Sequence, residues 1–213
     1  ETLIYLESND LEKTLAALTG TKAFRELAKN KPDFSRLAGT QLAVAVTGFE
    51  TSEKQLTDEQ AILNFKPRFV AVADTHAWER TNLALVENQL NDFVKNVYDD
   101  ARLDKSEKAQ AKWFTWTAGD GRRIFAAVTE NLIYFGNDES ALEKSLAVRR
   151  GEAENLIKNE ALAREREKAA DTLALGFVTP EGAAQIANLA GVSAAINSAE
   201  DDAARSFIAR VLP

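Results

Sequence analysis

The segment Lys112-Trp-Phe-Thr-Trp-Thr-Ala-Gly-Asp-Gly-Arg-Arg-Ile-Phe-Ala-Ala-Val128 decides the architecture. Lys112 to Thr117 alternates in the period of a strand, placing Trp113 with Thr115 on one face and Phe114 with Trp116 on the other. Ala118-Gly-Asp-Gly121 is a tight-turn signal, and Arg123 to Val128 returns as a second strand. Thr129-Glu130-Asn131 turns once more, and Leu132 to Phe135 makes a third. Three strands joined by turns of this length form an antiparallel meander.

Downstream of the meander, Asn137-Asp138-Glu139 caps a helix carrying Leu142 and Leu146. A charge-dense helical stretch follows from Gly151 to Ala170, then a strand from Thr172 to Val178. Pro180, at a first helical turn, opens Ala-rich helices to Val211. Upstream, Leu83, Val86, Leu90, Phe93 and Val97 recur at helical steps and predict one apolar stripe. Tyr98 to Lys108 is mixed in charge and reads as a surface connection. Gln41 to Phe49 is apolar and β-branched, a central strand, whereas Glu50 to Gln60 turns polar and reads as an exposed loop. Ile62 to Phe65 and Arg68 to Asp74 read as strands interrupted at Pro67.

The opening of the chain echoes the end of the meander. Glu1-Thr-Leu-Ile-Tyr-Leu6 followed by Leu11-Glu-Lys-Thr-Leu-Ala16 matches Glu130-Asn-Leu-Ile-Tyr-Phe135 followed by Leu142-Glu-Lys-Ser-Leu-Ala147. A third echo sets Leu42-Ala-Val against Leu173-Ala-Leu. In the first copy, Ser8-Asn9-Asp10 caps a helix bearing Leu11, Leu15 and Leu18, and a second short helix is expected over Thr21 to Lys29. These features predict an α+β fold: a mainly antiparallel sheet built from a duplicated strand-helix-helix-strand unit, with helices packed mostly on one face. The chain reads as a single domain over 1–213, with pseudo-repeats at approximately 1–100 and 101–213. It is expected to be part of a longer protein, since it starts at Glu1 and stops at Pro213 straight after a helical stretch.

Composition narrows the function classes. At 213 residues, 45% apolar and 28% charged, the chain can bury a substantial core. A net charge of -7 argues against nucleic acid, which needs clustered Lys and Arg. The doublets Arg122-Arg123 and Arg149-Arg150 sit among acidic neighbours and read as solvated surface. No run approaches the roughly 18 apolar residues of a membrane-spanning helix, so the residues at hand are not expected to insert in a membrane. The lack of cysteine removes disulfides, thiolate nucleophiles and zinc-thiolate sites together.

No motif marks a catalytic, cofactor or metal site, and none of the three is expected. His76 is the only histidine; with no partner marked, it reads as a helix-entry residue near Trp78. Asp99, Asp100, Asp104 and Glu107 lack the alternating ligands and bend glycine of a calcium loop. Gly119-Asp-Gly121 is followed by no phosphate-loop lysine. Carboxylate chemistry at Asp74 or Asp120, near strand ends, is a minor alternative. Trp113, Phe114 and Trp116 are the candidate partner or ligand surface, weighed against a core role in which one face fills the interior and a helix covers the other.

With these elements placed, the chain resembles the bacterial domain-of-unknown-function family 3352. The resemblance rests on Leu3-Ile-Tyr-Leu6, Phe24-Arg-Glu-Leu27, Gly39, Leu42-Ala-Val-Ala-Val46, Phe69-Val-Ala-Val72 and Leu132-Ile-Tyr-Phe-Gly-Asn-Asp138. It implies an extracytoplasmic location, in the periplasm or at the cell surface, with an anchor upstream of Glu1. It carries no catalytic residues. The expected role is a non-catalytic scaffold binding a protein partner or cell-envelope component. The alternatives are a carrier of a small apolar ligand held between sheet and helices, and a carboxylate-dependent hydrolase.

Overall fold

The computed structural model describes residues 2–22, 24, 33–57, 60–98 and 101–197. The helix expected over 21–29 falls mostly outside these residues, as do Asp99, Asp100 and the chain beyond 197.

The order of elements is β1 (Ile4–Ser8), α1 (Leu11–Thr19), β2 (Gln41–Thr57), β3 (Gln60–Asp74), α2 (Glu79–Leu85), a π-helical turn (Val86–Leu90), α3 (Asn91–Val97), β4 (Arg102–Lys108), β5 (Ala111–Thr117), β6 (Arg123–Thr129), β7 (Leu132–Gly136), α4 (Glu139–Arg149), α5 (Glu160–Lys168), β8 (Ala174–Val178) and α6 (Pro180–Asn197). All eight strands join one antiparallel sheet in the order β4-β5-β6-β7-β3-β2-β1-β8. The α+β expectation holds, and both parts of the chain feed the same sheet.

The meander forms as its residues dictate. Ala118 and Gly121 close the β5–β6 turn, with the Gly121 N–H donating to the Ala118 carbonyl at 3.0 Å. Gly121 takes φ 84, the left-handed region that a side chain would disfavour. The stretch expected to be a surface connection instead contributes β4, an edge strand joined to β5 through Ala109 and Gln110, both at positive φ. Such a two-residue turn matches the twist of the strands it joins.

The polar segment expected as a loop over 50–60 is strand as well. β2 and β3 pair from Gln41↔Asp74 to Thr57↔Gln60, so the two form one long hairpin. Pro67 does not interrupt β3, because Asn137 supplies what the ladder lacks beside it. The Asn137 side chain donates to the Pro67 carbonyl at 2.9 Å and accepts from the Phe69 N–H at 2.8 Å.

Two apolar clusters lie on opposite faces of the sheet. One joins Val70, Trp113, Phe125, Ala127 and Tyr134 to Ala141, Leu142 and Leu146 of α4. The other joins Phe114, Trp116, Ile124, Ala126, Val128 and Ile133 to Val86 and Val94 of the α2–α3 segment. Helix α4 therefore packs on one face and the α2–α3 segment on the other.

The α2–α3 segment follows the predicted stripe through Leu83, Val86 and Leu90, then departs from it. Asn82, Val86 and Val94 are fully buried, whereas Phe93 and Val97 are 56% and 55% exposed. The π turn supplies the reason: it takes up more residues than an α-turn, so later positions rotate and Val94 replaces Phe93 at the sheet. Asn82 is satisfied in the interior, accepting from the Thr75 hydroxyl at 2.7 Å and donating to the Glu130 carbonyl at 3.2 Å.

β1 and β7, the two Tyr-bearing strands of the echo, are each followed by a helix with an aspartate at its N-cap. Asp10 accepts from the Lys13 N–H and Asp138 from the Ala141 N–H, each at 3.1 Å. The third echo is placed less symmetrically. β2 is central and pairs with β1, while β8 is an edge strand that also pairs with β1 rather than with β7.

Candidate functional site

Four successive antiparallel pairings separate β7 from β8, so the two run parallel with β3, β2 and β1 between them. The connection from β7 through α4 and α5 to β8 thus crosses over three strands. Beneath it lies a cavity of about 930 Å³.

Strand register builds its floor. One cross-strand row reads Glu7, Ala43, Val72, Tyr134, Ala127 and Trp113; the next includes Tyr5, Ala45 and Val70. β2 thus presents only Ala43 and Ala45 between two tyrosine-bearing strands, and the missing side-chain volume becomes space. α4 forms the roof with Ala141, Lys144, Ser145 and Val148, which recur at steps of one helical turn. The 154–159 connection closes one side.

Polar anchors fix the two ends. Asp138 is buried at 6% exposure and receives three groups. The Ala141 N–H donates to it at 3.1 Å, the Thr47 hydroxyl at 2.9 Å, and Arg68 pairs with it at 3.0 Å. Burial pushes its carboxyl up, but these donors outweigh that and hold it below the usual carboxylate range. At the other end, Arg166 of α5 grips Glu7 through two bonds of 2.8 Å, and the Tyr5 hydroxyl donates to Glu7 at 3.0 Å. Burial, then the adjacent Glu7 charge, push the Tyr5 phenol up to about 12.

Tyr134 is only 2% exposed, and burial raises its phenol too, against the opposing charges of Arg149 and Arg150. Its hydroxyl has no hydrogen-bond partner among the described residues. Since no fully buried side-chain polar atom among them lacks a partner, that hydroxyl keeps contact with solvent, and the cavity is the space that Tyr134 lines.

The candidate surface residues take the core role instead. Trp113 and Trp116 are 1% exposed and Phe114 2%. The Trp113 indole N–H donates to the Lys108 carbonyl at 3.1 Å, with the Lys108 ammonium 4.0 Å from the ring centre. Trp116 donates to Asn91 at 3.0 Å and stacks on Phe114. These rings offer no surface to a partner, although Trp113 belongs to the cluster beneath α4.

The named carboxylates are engaged in local structure. Asp74 accepts from the His76 N–H at 2.9 Å and from Asn131 at 2.6 Å, fixing the approach to α2. Asp120 binds the Arg122 N–H and guanidinium within the β5–β6 turn. Asp104 pairs with Arg102 and Glu107 with Lys112. Among the described residues no group of three or more His, Asp or Glu could hold a metal ion. No helix among them is long and apolar enough to cross a membrane.

The cavity residues escaped the reading of the sequence. The one signal present was the alternation Leu42-Ala-Val-Ala-Val46, in which every second position is small.

No family model, curated protein or solved structure matches the chain.

Proposed function

We propose that this protein is a non-catalytic module that holds a small, largely apolar ligand in the cavity under the α4–α5 crossover. The size and lining of that cavity carry the reading. About 930 Å³ falls within the range of small-molecule sites. Its floor of Ala43, Ala45, Val70 and Val72 offers apolar contact, while Tyr134 adds an unengaged hydroxyl. Tyr5, Asp138 and Arg68 are already bonded to their neighbours, which suits a preformed container better than a reacting centre. An extracytoplasmic location belongs to the proposal and rests on the family resemblance.

The test uses the neutral dye N-phenyl-1-naphthylamine, whose emission rises in apolar surroundings. Saturable one-to-one binding by the native protein is expected. Ala45→Trp, which fills the floor, abolishes it while the protein keeps its cooperative melting transition. No saturable binding, or undiminished binding by Ala45→Trp, overturns the reading.

A partner-binding scaffold is the second reading, favoured by the β2–β3 hairpin. Within the hairpin, β1 pairs with Leu42 to Val46 alone and β7 with Val70 to Asp74 alone. From Gly48↔Arg68 outward, the hairpin strands therefore pair with each other alone among the described residues. A specific partner recovered from envelope extract by the native chain, but not after residues 50–66 are replaced by a short turn, would favour this reading.

A further inference from the structure

Resting on the cavity as a ligand site, we infer that its ligand is an anion: an apolar body ending in a carboxylate. The charge around the cavity runs against that of the chain. Arg68, Lys144, Arg149 and Lys158 line it, with only Asp138 and Glu154 opposing them, in a protein of net charge -7. Most of these charges are already matched. Arg68 meets Asp138 at 3.0 Å, Lys158 meets Glu154 at 3.7 Å, and Arg149 pairs with Glu130 outside the lining. Lys144 alone of the four cations has no ion-pair partner among the described residues.

Tyr134 is a second and independent indication. It is 98% buried by its 2% exposure, yet its hydroxyl donates to nothing among the described residues. The hydroxyl keeps contact with solvent, so it is free to donate to a ligand oxygen that enters the cavity. Tyr134 on the sheet and the exposed Lys144 on α4 both line this space, and each carries an unengaged donor. An ammonium and a phenol lining one cavity suit an oxyanion, because hydrogen bonds to a charged acceptor are the stronger kind. Of the two carboxylates in the lining, Asp138 is enclosed by Ala141, Thr47 and Arg68, and Glu154 faces Lys158 at 3.7 Å. The alanine and valine floor takes the apolar body.

Competition against bound N-phenyl-1-naphthylamine tests the charge preference, using dodecanoate, 1-dodecanol and dodecyltrimethylammonium, which share a chain length and differ in headgroup. Dodecanoate is expected to displace the dye at about tenfold lower concentration than dodecanol, the worth of one charge-assisted bond. The ammonium compound should be weakest. Lys144→Gln and Tyr134→Phe each shrink the dodecanoate-to-dodecanol ratio, whereas Lys95→Gln, on the other side of the sheet, leaves it unchanged. Equal displacement by dodecanoate and dodecanol, or a ratio that survives Lys144→Gln, overturns the inference while leaving a neutral ligand site intact. Failure of the dye to bind at all defeats the underlying reading instead.

Discussion

Thr47 donates its hydroxyl to Asp138 across 2.9 Å, tying the middle of β2 to the start of α4. The two residues are 91 apart in sequence. Through this bond the aspartate serves at once as helix cap, ion-pair partner and sheet clamp.

Asp138→Ala should therefore cost about 3 kcal/mol, combining a lost N-cap with donors left unsatisfied. Asp138→Asn keeps an acceptor for the cap and should cost less. The sign with pH follows from the lowered carboxyl: its contribution is present above the ordinary value of 3.8 and is lost as pH falls through the lower folded value. Urea denaturation in acid should show the native protein weakening over that window, and Asp138→Asn weakening less.

Gly182, the third residue of α6, lies against the backbone of Leu3. A Cβ there would sit 2.2 Å from the Leu3 carbonyl oxygen. Alanine is the better helix former by about 1 kcal/mol, yet Gly182→Ala is expected to destabilise because neither backbone can yield cheaply. Gly119→Ala, which meets nothing within 4 Å, should stay within about 0.5 kcal/mol of the native protein. Thermal melting of the two variants separates the effects.

Deleting Gln89 should be tolerated. The α2–α3 segment buries Asn82, Val86 and Val94, with Leu90 partly covered, in steps of four residues that the π turn makes possible. Removing one exposed residue from that turn restores α geometry and keeps Val94 facing the sheet. Deleting Glu143 from the regular α4 would instead rotate Leu146 out of the core. Cooperative melting retained by the first deletion and lost by the second is the expected pair of results.

Tyr5 sets a limit at high pH. Its phenol ionises near 12 when folded, against an ordinary 10.0. The contribution is thus fully present below pH 10 and disappears as pH climbs towards 12. Denaturation midpoints measured across that interval should fall more steeply for the native protein than for Tyr5→Phe.

Much of the fold was legible where one local cause dominates. Trp113 to Val128 alternates around a Gly-Asp-Gly turn, and Asp10 and Asp138 stand where caps belong. Pro180 opens α6 as its fixed φ predisposes it to do. Legibility failed where distant partners decide. Arg102 to Lys108 forms a strand although its charges show no alternation, because β5 offers an edge and the outer side meets water. The outer half of the β2–β3 hairpin is held by mutual pairing that composition does not announce. The Trp113–Trp116 strand lies inside the sheet with helices over both faces, so its rings signal core rather than contact. The cavity was hidden for a similar reason. Ala43 and Ala45 mean little until register sets them between Tyr5 and Tyr134.

β8 adds to the outer edge of β1, pairing Ser8 with Ala174 and Ile4 with Val178. β1 thus has its outer edge covered by a strand some 170 residues later in the chain. Throughout synthesis that edge stands bare, a template for unwanted strand addition. Only when the chain reaches Val178 is the edge of β1 covered, so truncations short of this residue should yield insoluble product even though the meander is complete within them.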